Sequence, residues 1–265
     1  MITGHIRKMK TELSDTVSYK LPLDENLVDM NVLIGKRVQL FYTGVITCSK
    51  CTKRTKSSFQ GFCYTCFATA PEASECIIRP ELCRGHLGEG RDVEWEKKHH
   101  VQPHYVYLAL SSAVKVGVTR VDQIPTRWID QGASAGIIVA ETPNRYLAGV
   151  IEVALKEHFT DKTNWRKMLK NEVLSDVDLE DIKWELEEIL PSDLTQYMLE
   201  EDEIIEINYP VTKYPEKLKS ISFDKEPLLE GTLLGIKGQY LYFDNDRVIN
   251  MRKHTSYQIT IQWQD

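Results

Sequence analysis

Apolar and polar residues alternate most clearly near the two ends of the chain. Positions 37–42 alternate directly after a turn signal at Ile34 and Gly35, as expected for a β-strand. Further alternating runs are separated by turn residues and cover 231–236, 239–243, 247–251 and 257–263. Because the N-terminal strands have no partner close by in sequence, we predict that they join the C-terminal strands in a discontinuous β-sheet or barrel.

The middle of the chain begins with a predicted β-hairpin. Residues 104–110 and 114–119 are strand-like and are joined by a short polar turn. Alternation assigns their valines and leucines to a core face. Tyr105, Tyr107 and Lys115 lie on the other face. An otherwise apolar hairpin therefore carries two phenols and an ammonium group on one side.

Helical spacing of apolar residues follows this hairpin. A short helix is expected over 125–131, and then a third, central strand over 136–140. A longer helix is predicted with Thr142 as its cap and Pro143 as its first residue, and it should reach Phe159; another short helix is predicted to begin at Thr163. Strands and helices thus alternate over this part of the chain, which predicts a small α/β domain.

Two Cys-x-x-Cys pairs, Cys48/Cys51 and Cys63/Cys66, are the strongest chemical signal in the sequence. Each pair brings two thiolates together from a tight turn, and two such turns supply the four ligands of a tetrahedral structural zinc ion. The alternatives are a disulfide framework or buried thiols without a function. The start of the chain has no apolar run typical of a signal peptide, so we expect a cytoplasmic protein and favour zinc.

A second zinc site is a further hypothesis. Cys83 and His86 have the spacing of metal ligands, and Cys76 lies close enough in sequence to be a third. A fourth ligand is not obvious from the sequence. The alternative interpretation is a pair of buried reduced cysteines and a histidine on the surface.

Charge is distributed unevenly along the chain. The whole sequence has a net charge of −6, but residues 172–206 contain fourteen acidic residues and one basic residue, so the other 230 residues carry +7. The acidic segment also has apolar residues at helical spacing, which predicts solvated helices, a mimic of nucleic-acid charge or a docking surface for a basic protein. Within 45–60 there are four basic residues and no acidic one: Lys50, Lys53, Arg54 and Lys56. They predict contacts with nucleic-acid phosphates, or alternatively a solvated loop.

These observations predict an α+β protein of ordinary globular composition, with no apolar stretch long enough to span a membrane. The predicted parts are N-terminal strands over 1–46, a zinc-binding module over 47–100, an α/β domain with a three-stranded antiparallel sheet over 101–171, an acidic helical segment over 172–206 and a C-terminal β domain over 207–265.

Residues 105–164 resemble the GIY-YIG nuclease superfamily. Tyr105-Val106-Tyr107 is similar to the first motif, and Lys115-Val116-Gly117 is similar to the second, with lysine in place of the motif's tyrosine. The resemblance implies a metal-dependent endonuclease with the remaining site residues Arg127, Glu152 and Asn164. The chain as a whole also resembles a bacterial family known only as a domain of unknown function.

The chemistry of such a site follows from its residue types. The carboxylate of Glu152 is suited to hold Mg²⁺ or Mn²⁺, and the guanidinium of Arg127 matches the geometry of a phosphate. A phenol from Tyr105 or Tyr107 would orient or deprotonate water, assisted by the charge of Lys115. Each residue also has a simpler structural explanation: an aromatic residue in a strand, a charged residue on the surface, or one partner of an i,i+4 ion pair on a helix.

Three functional hypotheses result. The first is a metal-dependent phosphodiesterase that acts on DNA or RNA. The second is a non-catalytic nucleic-acid-binding module that uses the same surfaces. The third is a protein-interaction adaptor in which zinc has only a structural role and the acidic helices dock a basic partner.

Overall fold

A computed structural model describes residues 1–156, 158–159 and 164–264 of the chain. Within these residues the strands are β1 (Ile2–His5), β2 (Lys10–Glu12), β3 (Ser18–Leu23), β4 (Asn26–Asp29), β5 (Arg37–Thr47), β6 (Arg54–Thr55), β7 (His104–Leu110), β8 (Val114–Arg120), β9 (Ala135–Thr142), β10 (Ile205–Glu206), β11 (Lys219–Ile221), β12 (Leu228–Lys237), β13 (Tyr240–Phe243), β14 (Arg247–Asn250) and β15 (Tyr257–Gln264). The α-helices are α1 (Tyr64–Thr69), α2 (Val93–His100), α3 (Thr126–Gln131), α4 (Arg145–Lys156), α5 (Trp165–Leu169) and α6 (Leu179–Ile189). Short 3-10 helices cover Asn31–Leu33, Pro71–Ala73, Glu75–Ile77, Pro80–Leu82, Gly85–Leu87, Val121–Gln123, Thr195–Tyr197 and Arg252–His254.

The described residues form two compact units. The first contains Met1–Ala68, Ile129–Gly132 and Ile207–Asp265, and the second contains Thr69–Trp128 and Ala133–Glu206. The boundary at Ala68 falls inside the segment 47–100 that was predicted as one zinc-binding module.

The first unit is built around a sheet of strands from both ends of the chain. In the part of the chain that the structure describes, this sheet has eight strands in the order β1-β15-β5-β12-β13-β14-β11, with β6 paired to β5. Strands β1, β5 and β12 are antiparallel to their neighbours along this path, while β11 is parallel to β14. The predicted discontinuous sheet of N- and C-terminal strands is thereby confirmed. A separate sheet contains β2, β3 and β4.

Alternation along the strands accounts for this arrangement. In β15, Tyr257, Ile259 and Ile261 are buried, and the residues between them are more exposed. The residue that directly faces Ile261 across the β5 ladder is Leu40, which is also buried. Burying one face of each strand fixes the register of the ladder, because a slip by one residue would turn every apolar side chain toward water.

The second unit contains an antiparallel sheet in the order β10-β9-β7-β8. Strands β7 and β8 form the predicted hairpin, with Tyr105 opposite Thr119 and Tyr107 opposite Gly117. Strand β9 is internal because the two-residue strand β10 pairs with its outer edge. Helices α4 and α6 pack on the face that carries Val106 and Leu108, with Ile151 and Leu186 in the same buried cluster.

Two helix boundaries differ from the sequence prediction. Helix α4 begins at Arg145 rather than at Pro143, and the side chain of Asn144 accepts a hydrogen bond from Leu147 N at 3.0 Å. Asn144 rather than Thr142 therefore provides the N-terminal cap, and Phe159 lies outside the helix, whose described residues are Arg145–Lys156. The predicted start of the next helix at Thr163 lies outside the described residues.

The acidic segment contains α6, as its helical spacing predicted. Leu179 and Leu186 are buried on one side of this helix, and Asp178 caps its first turn by accepting hydrogen bonds from Glu180 N and Asp181 N. In the described ranges, none of the helices combines the length and the apolar character needed to cross a bilayer.

A segment of short 3-10 helices between residues 71 and 88 packs closely on α4. A Cβ atom placed on Gly149 would lie 2.2 Å from Glu81 N and 2.4 Å from Pro80 C. The backbones of the two elements can approach this closely only because residue 149 has no side chain. Gly149 therefore fixes where the 71–88 segment lies on the helix.

Replacing Gly149 with alanine is expected to lower the free energy of unfolding by roughly 1–3 kcal/mol, because the new methyl group overlaps backbone atoms. On a helix without such a contact, the same change raises stability by about 1 kcal/mol. Urea denaturation at a fixed zinc concentration measures the difference. Val153→Ala on the exposed side of α4 is the control, with a change expected within about 0.5 kcal/mol. A stabilising effect of Gly149→Ala would contradict the described packing.

Candidate metal centres and nucleic-acid surface

The four cysteines of the two Cys-x-x-Cys pairs converge in the first unit. Cys48 follows strand β5, and each of Cys48, Cys51, Cys63 and Cys66 places a sulfur within 4.8 Å of the other three. The Cys51 and Cys63 sulfurs are 3.8 Å apart. Tetrahedral zinc with Zn–S bonds of about 2.3 Å separates its sulfurs by about 3.8 Å, whereas a disulfide requires about 2.05 Å. The predicted four-cysteine cluster is present, and its geometry fits a structural zinc ion.

Backbone hydrogen bonds hold this cluster in shape. Thr52 N donates to Cys48 O at 3.0 Å, and Cys48 N donates to Lys53 O at 2.9 Å, which closes the turn between the first two ligands. Burial raises the pKa of the Cys48 thiol, but backbone hydrogen bonds from Cys51 and Cys63 outweigh it, so that the pKa is lowered to about 6. These hydrogen bonds thus favour the thiolate form of Cys48, which is the form that binds metal.

The surface of this module combines cations with aromatic rings. Lys50, Lys53, Arg54 and Lys56 are all exposed. Tyr64 is 70% exposed and Phe59 is 38% exposed, and their ring centroids lie 5.8 Å apart. Sequence reasoning identified the four cations but missed the two rings, although both lie within or beside the predicted zinc loop.

A second group of ligand atoms lies in the second unit. Cys76, Cys83, Glu96 and His100 each offer one ligand atom within 4.8 Å of the other three, and all four residues are buried. The sequence predicted Cys76 and Cys83 here together with His86. The prediction of His86 as a ligand is wrong. Its exposed ring stacks on Tyr146, with ring centroids 4.6 Å apart.

Glu96 and His100 were missed because they lie in a strongly charged run of helix α2. Their spacing of four residues places both side chains on one face of the helix, toward the two cysteines. Arg145 was also missed. Its Nε and Nη2 donate at 2.9 Å to the carbonyl oxygens of Cys76 and Ile77.

The two tyrosines of the hairpin differ in environment. Tyr107 is 0% exposed, and its ring packs edge-on against Trp128 with centroids 5.9 Å apart. A Cβ atom on Gly117 would lie 2.5 Å from the Tyr107 hydroxyl, so Gly117 provides space for this ring rather than for a substrate. Tyr105 is half-buried, and burial and the nearby Glu141 carboxylate both raise its pKa.

The carboxylate expected to hold Mg²⁺ or Mn²⁺ is enclosed. Glu152 is 6% exposed, its Oε1 lies 3.1 Å from Lys156 Nζ, and burial raises its pKa. Helix α4 packs on the Val106 face of the sheet, which is opposite to the face that carries Tyr107. We expected Glu152, Arg127 and a phenol from Tyr105 or Tyr107 to meet in one open hollow, but Glu152 and Tyr107 lie on opposite sides of the sheet.

The remaining residues that the resemblance to GIY-YIG nucleases implies do not share one environment. Arg127 and Lys115 are both half-buried, on α3 and β8 respectively. Asn164 is exposed and caps helix α5, because its Oδ1 accepts a hydrogen bond from Arg166 N at 3.0 Å. Its side chain thus has a structural role in the helix cap.

Fold and site together define a mixed α+β protein with cysteine-based metal-binding groups. The model of a protein family of unknown function, DUF2797, matches residues 35–259, and the chain belongs to this family. No curated protein and no solved structure gives a significant match. The resemblance to GIY-YIG nucleases consequently depends on the short motifs alone.

Replacing Cys63 with serine is expected to remove one zinc equivalent per chain and to expose the 48–66 turns, because three thiolates hold the ion less tightly than four. Elemental analysis of protein purified under reducing conditions measures the zinc, and hydrogen exchange measures the exposure. Ser57→Ala, an exposed change in the same loop, should leave both unchanged. An undiminished zinc content in Cys63→Ser would refute the assignment of this cluster.

Proposed function

We propose that this protein is a zinc-containing nucleic-acid-binding protein that contacts sugar–phosphate backbone through the surface of its four-cysteine module. The observation that carries the proposal is that four cations and two aromatic rings are exposed in the same short segment that holds the four-cysteine cluster. DNA and RNA are both candidate partners.

The local charge supports this function despite the net charge of −6. Residues 45–71 contain four basic and no acidic side chains. Zn²⁺ with four thiolates has a charge of −2, so the loaded module keeps a net charge of +2. Clustered cations attract phosphates, and binding releases the counterions of the nucleic acid. The charge of more distant segments has less effect because salt screens it.

The exposed rings favour single-stranded partners. Tyr64 and Phe59 offer exposed apolar surface in the same module as the cations, and unpaired bases stack on aromatic rings with about 1–3 kcal/mol each. Bases inside a duplex are not accessible to them in this way. The combination of cations and rings therefore predicts tighter binding to single strands than to duplexes of the same length.

The hydrolytic hypothesis, a GIY-YIG-type endonuclease with Mg²⁺ or Mn²⁺ at Glu152, receives less support. It needs a carboxylate and a phenol that both reach a scissile phosphate. Glu152 is paired with Lys156 and nearly buried, and Tyr107 is sealed between Trp128 and Gly117. We therefore favour binding without cleavage.

Changing Lys50, Lys53, Arg54 and Lys56 together to glutamate is expected to weaken binding of labelled single-stranded oligonucleotides by roughly tenfold or more, because four phosphate contacts are lost. Fluorescence anisotropy over a range of salt concentrations measures this. In the unmodified protein, four contacts predict a slope of roughly −3 for log K against log salt on a single strand.

The matched control reverses four other exposed lysines of the same unit, Lys10, Lys20, Lys217 and Lys225, and changes the net charge equally. It should retain most of the affinity. Equal losses in both variants would indicate a general charge effect and contradict a binding surface on the module. Unchanged affinity in the module variant would favour the protein-interaction adaptor instead.

Incubation of plasmid DNA and of RNA with the protein in Mg²⁺ or Mn²⁺ is expected to produce no cleavage, because the carboxylate that would hold the ion is enclosed. Gel electrophoresis with and without chelator measures the outcome. Metal-dependent nicking that disappears in a folded Glu152→Gln variant would contradict this prediction and favour the endonuclease hypothesis.

A further inference from the structure

The second ligand group has the distances of a metal site. His100 Nδ1 lies 3.5 Å from the Cys83 sulfur and 3.9 Å from the Cys76 sulfur. In a tetrahedral zinc site, with bonds of about 2.3 Å to sulfur and about 2.05 Å to nitrogen, a sulfur and a nitrogen are about 3.6 Å apart. A fourth ligand atom, from Glu96, lies within 4.8 Å of the other three.

The four side chains of the second ligand group differ from an ordinary surface cluster of polar residues because they are buried. All four side chains are more than nine-tenths buried. Glu96 Oε2 contacts His100 Nδ1, but it has no satisfactory hydrogen bond within the described part of the chain. A carboxylate in this environment is costly unless a cation compensates it. One carboxylate oxygen of Glu96 therefore lies in the same buried group as the two sulfurs and the imidazole.

Neither a disulfide nor a catalytic cysteine accounts for this group of side chains. Cys76 and Cys83 are free thiols rather than a disulfide. A Cys–His nucleophile would need access to its substrate, but the exposed fractions of Cys76 and Cys83 are 8% and 2%. A closed set of four ligands without an open position is instead typical of structural zinc.

Neighbouring residues contact the four candidate ligand residues and balance the charge of such an ion. The Ser74 hydroxyl is 3.2 Å from the Cys76 sulfur, and Arg145 donates to the carbonyl oxygen of Cys76. Zn²⁺ with two thiolates, one carboxylate and a neutral imidazole carries −1, which the guanidinium of Arg145 balances. Gly90 lies directly against Glu96, since a Cβ there would be 2.4 Å from Glu96 Cγ.

The 71–88 segment gains little stability from burying large apolar side chains of its own. Its larger apolar side chains point outward, with Ile78 73% exposed, Leu87 58% exposed and Leu82 40% exposed. Its short 3-10 helices provide few hydrogen bonds compared with a sheet or a long helix. A cross-link between this segment and helix α2 would give it a fixed position on α4.

We propose that Cys76, Cys83, Glu96 and His100 bind a second, structural zinc ion that fastens the 71–88 segment to helix α2 and holds it over Gly149 of helix α4. Two thiolates and an imidazole select zinc over the hard cations Mg²⁺ and Ca²⁺. This site is independent of nucleic-acid binding by the four-cysteine module.

Elemental analysis of the full chain tests the proposal directly. The unmodified protein should contain two zinc ions per chain, and Cys83→Ser should contain one. His86→Ala is the matched control, because this histidine lies next to the segment's ligands in sequence but stacks on Tyr146, and it should retain both ions. Combining Cys83→Ser with Cys63→Ser should leave no zinc.

A second variant covers the case in which Cys83→Ser fails to fold. Glu96→Gln preserves the shape of the side chain but removes its charge, and it should release one zinc to a chelator roughly tenfold faster or more. Hydrogen exchange should then increase over 71–88 and over α4 but not over 48–66. In a Cys63→Ser background, replacement of zinc by Co²⁺ should give the spectrum of a tetrahedral site with two thiolates.

Two results would overturn the proposal. One is a single zinc per chain that Cys63→Ser removes completely. The other is a combination of two findings. Cys83→Ser retains both zinc ions, and the rate of zinc release to a chelator is the same for Glu96→Gln as for the unmodified protein.

Discussion

Coordination of a metal by cysteine thiolates is the interaction on which, in our proposal, two parts of this molecule depend. The turns between residues 48 and 66 and the 3-10 helices between residues 71 and 88 bury few large apolar side chains of their own. Such short, irregular segments cannot offset the entropy cost of ordering by hydrophobic burial alone. Four ligands around one ion fix the chain in each segment instead, as in small zinc domains.

The two segments support different parts of the molecule. Near the four-cysteine cluster the metal orders a loop that displays Lys50, Lys53 and Tyr64 to solvent. At Cys76, Cys83, Glu96 and His100 the proposed second ion would hold the 71–88 segment on the backbone of Gly149. The first arrangement exposes the surface that we propose for phosphates and bases, whereas in the second the segment packs on the helix that carries Glu152. This difference is the reason that we assign binding to the protein and not hydrolysis.

Much of the fold could be predicted from local patterns. Alternation identified the β7–β8 hairpin and the terminal strands, and the lack of nearby partners for the N-terminal strands indicated the discontinuous sheet. The spacing of the Cys-x-x-Cys pairs also identified the four ligands of the first cluster. In these cases the information lies within a few consecutive residues.

The errors arose where long-range packing decides the outcome. His86 has the sequence spacing of a ligand, but Glu96 and His100 reach the cysteines from a helix whose charged sequence resembles a solvated surface. For Glu152, motif spacing could not indicate which face of the sheet helix α4 covers. The apolar stripe of that helix and the core face of the hairpin together determine this, and they place Glu152 away from Tyr107.

X-ray absorption at the zinc edge of the full chain tests the central claim most directly, because it reports the ligands of every bound zinc at once. One site with four sulfurs and one with two sulfurs, a nitrogen and an oxygen predict an average of about three sulfurs near 2.3 Å and about one lighter ligand near 2.0 Å per zinc. A spectrum with four sulfurs and no lighter ligand would contradict the second centre. A spectrum dominated by nitrogen and oxygen would contradict thiolate coordination as the basis of this structure.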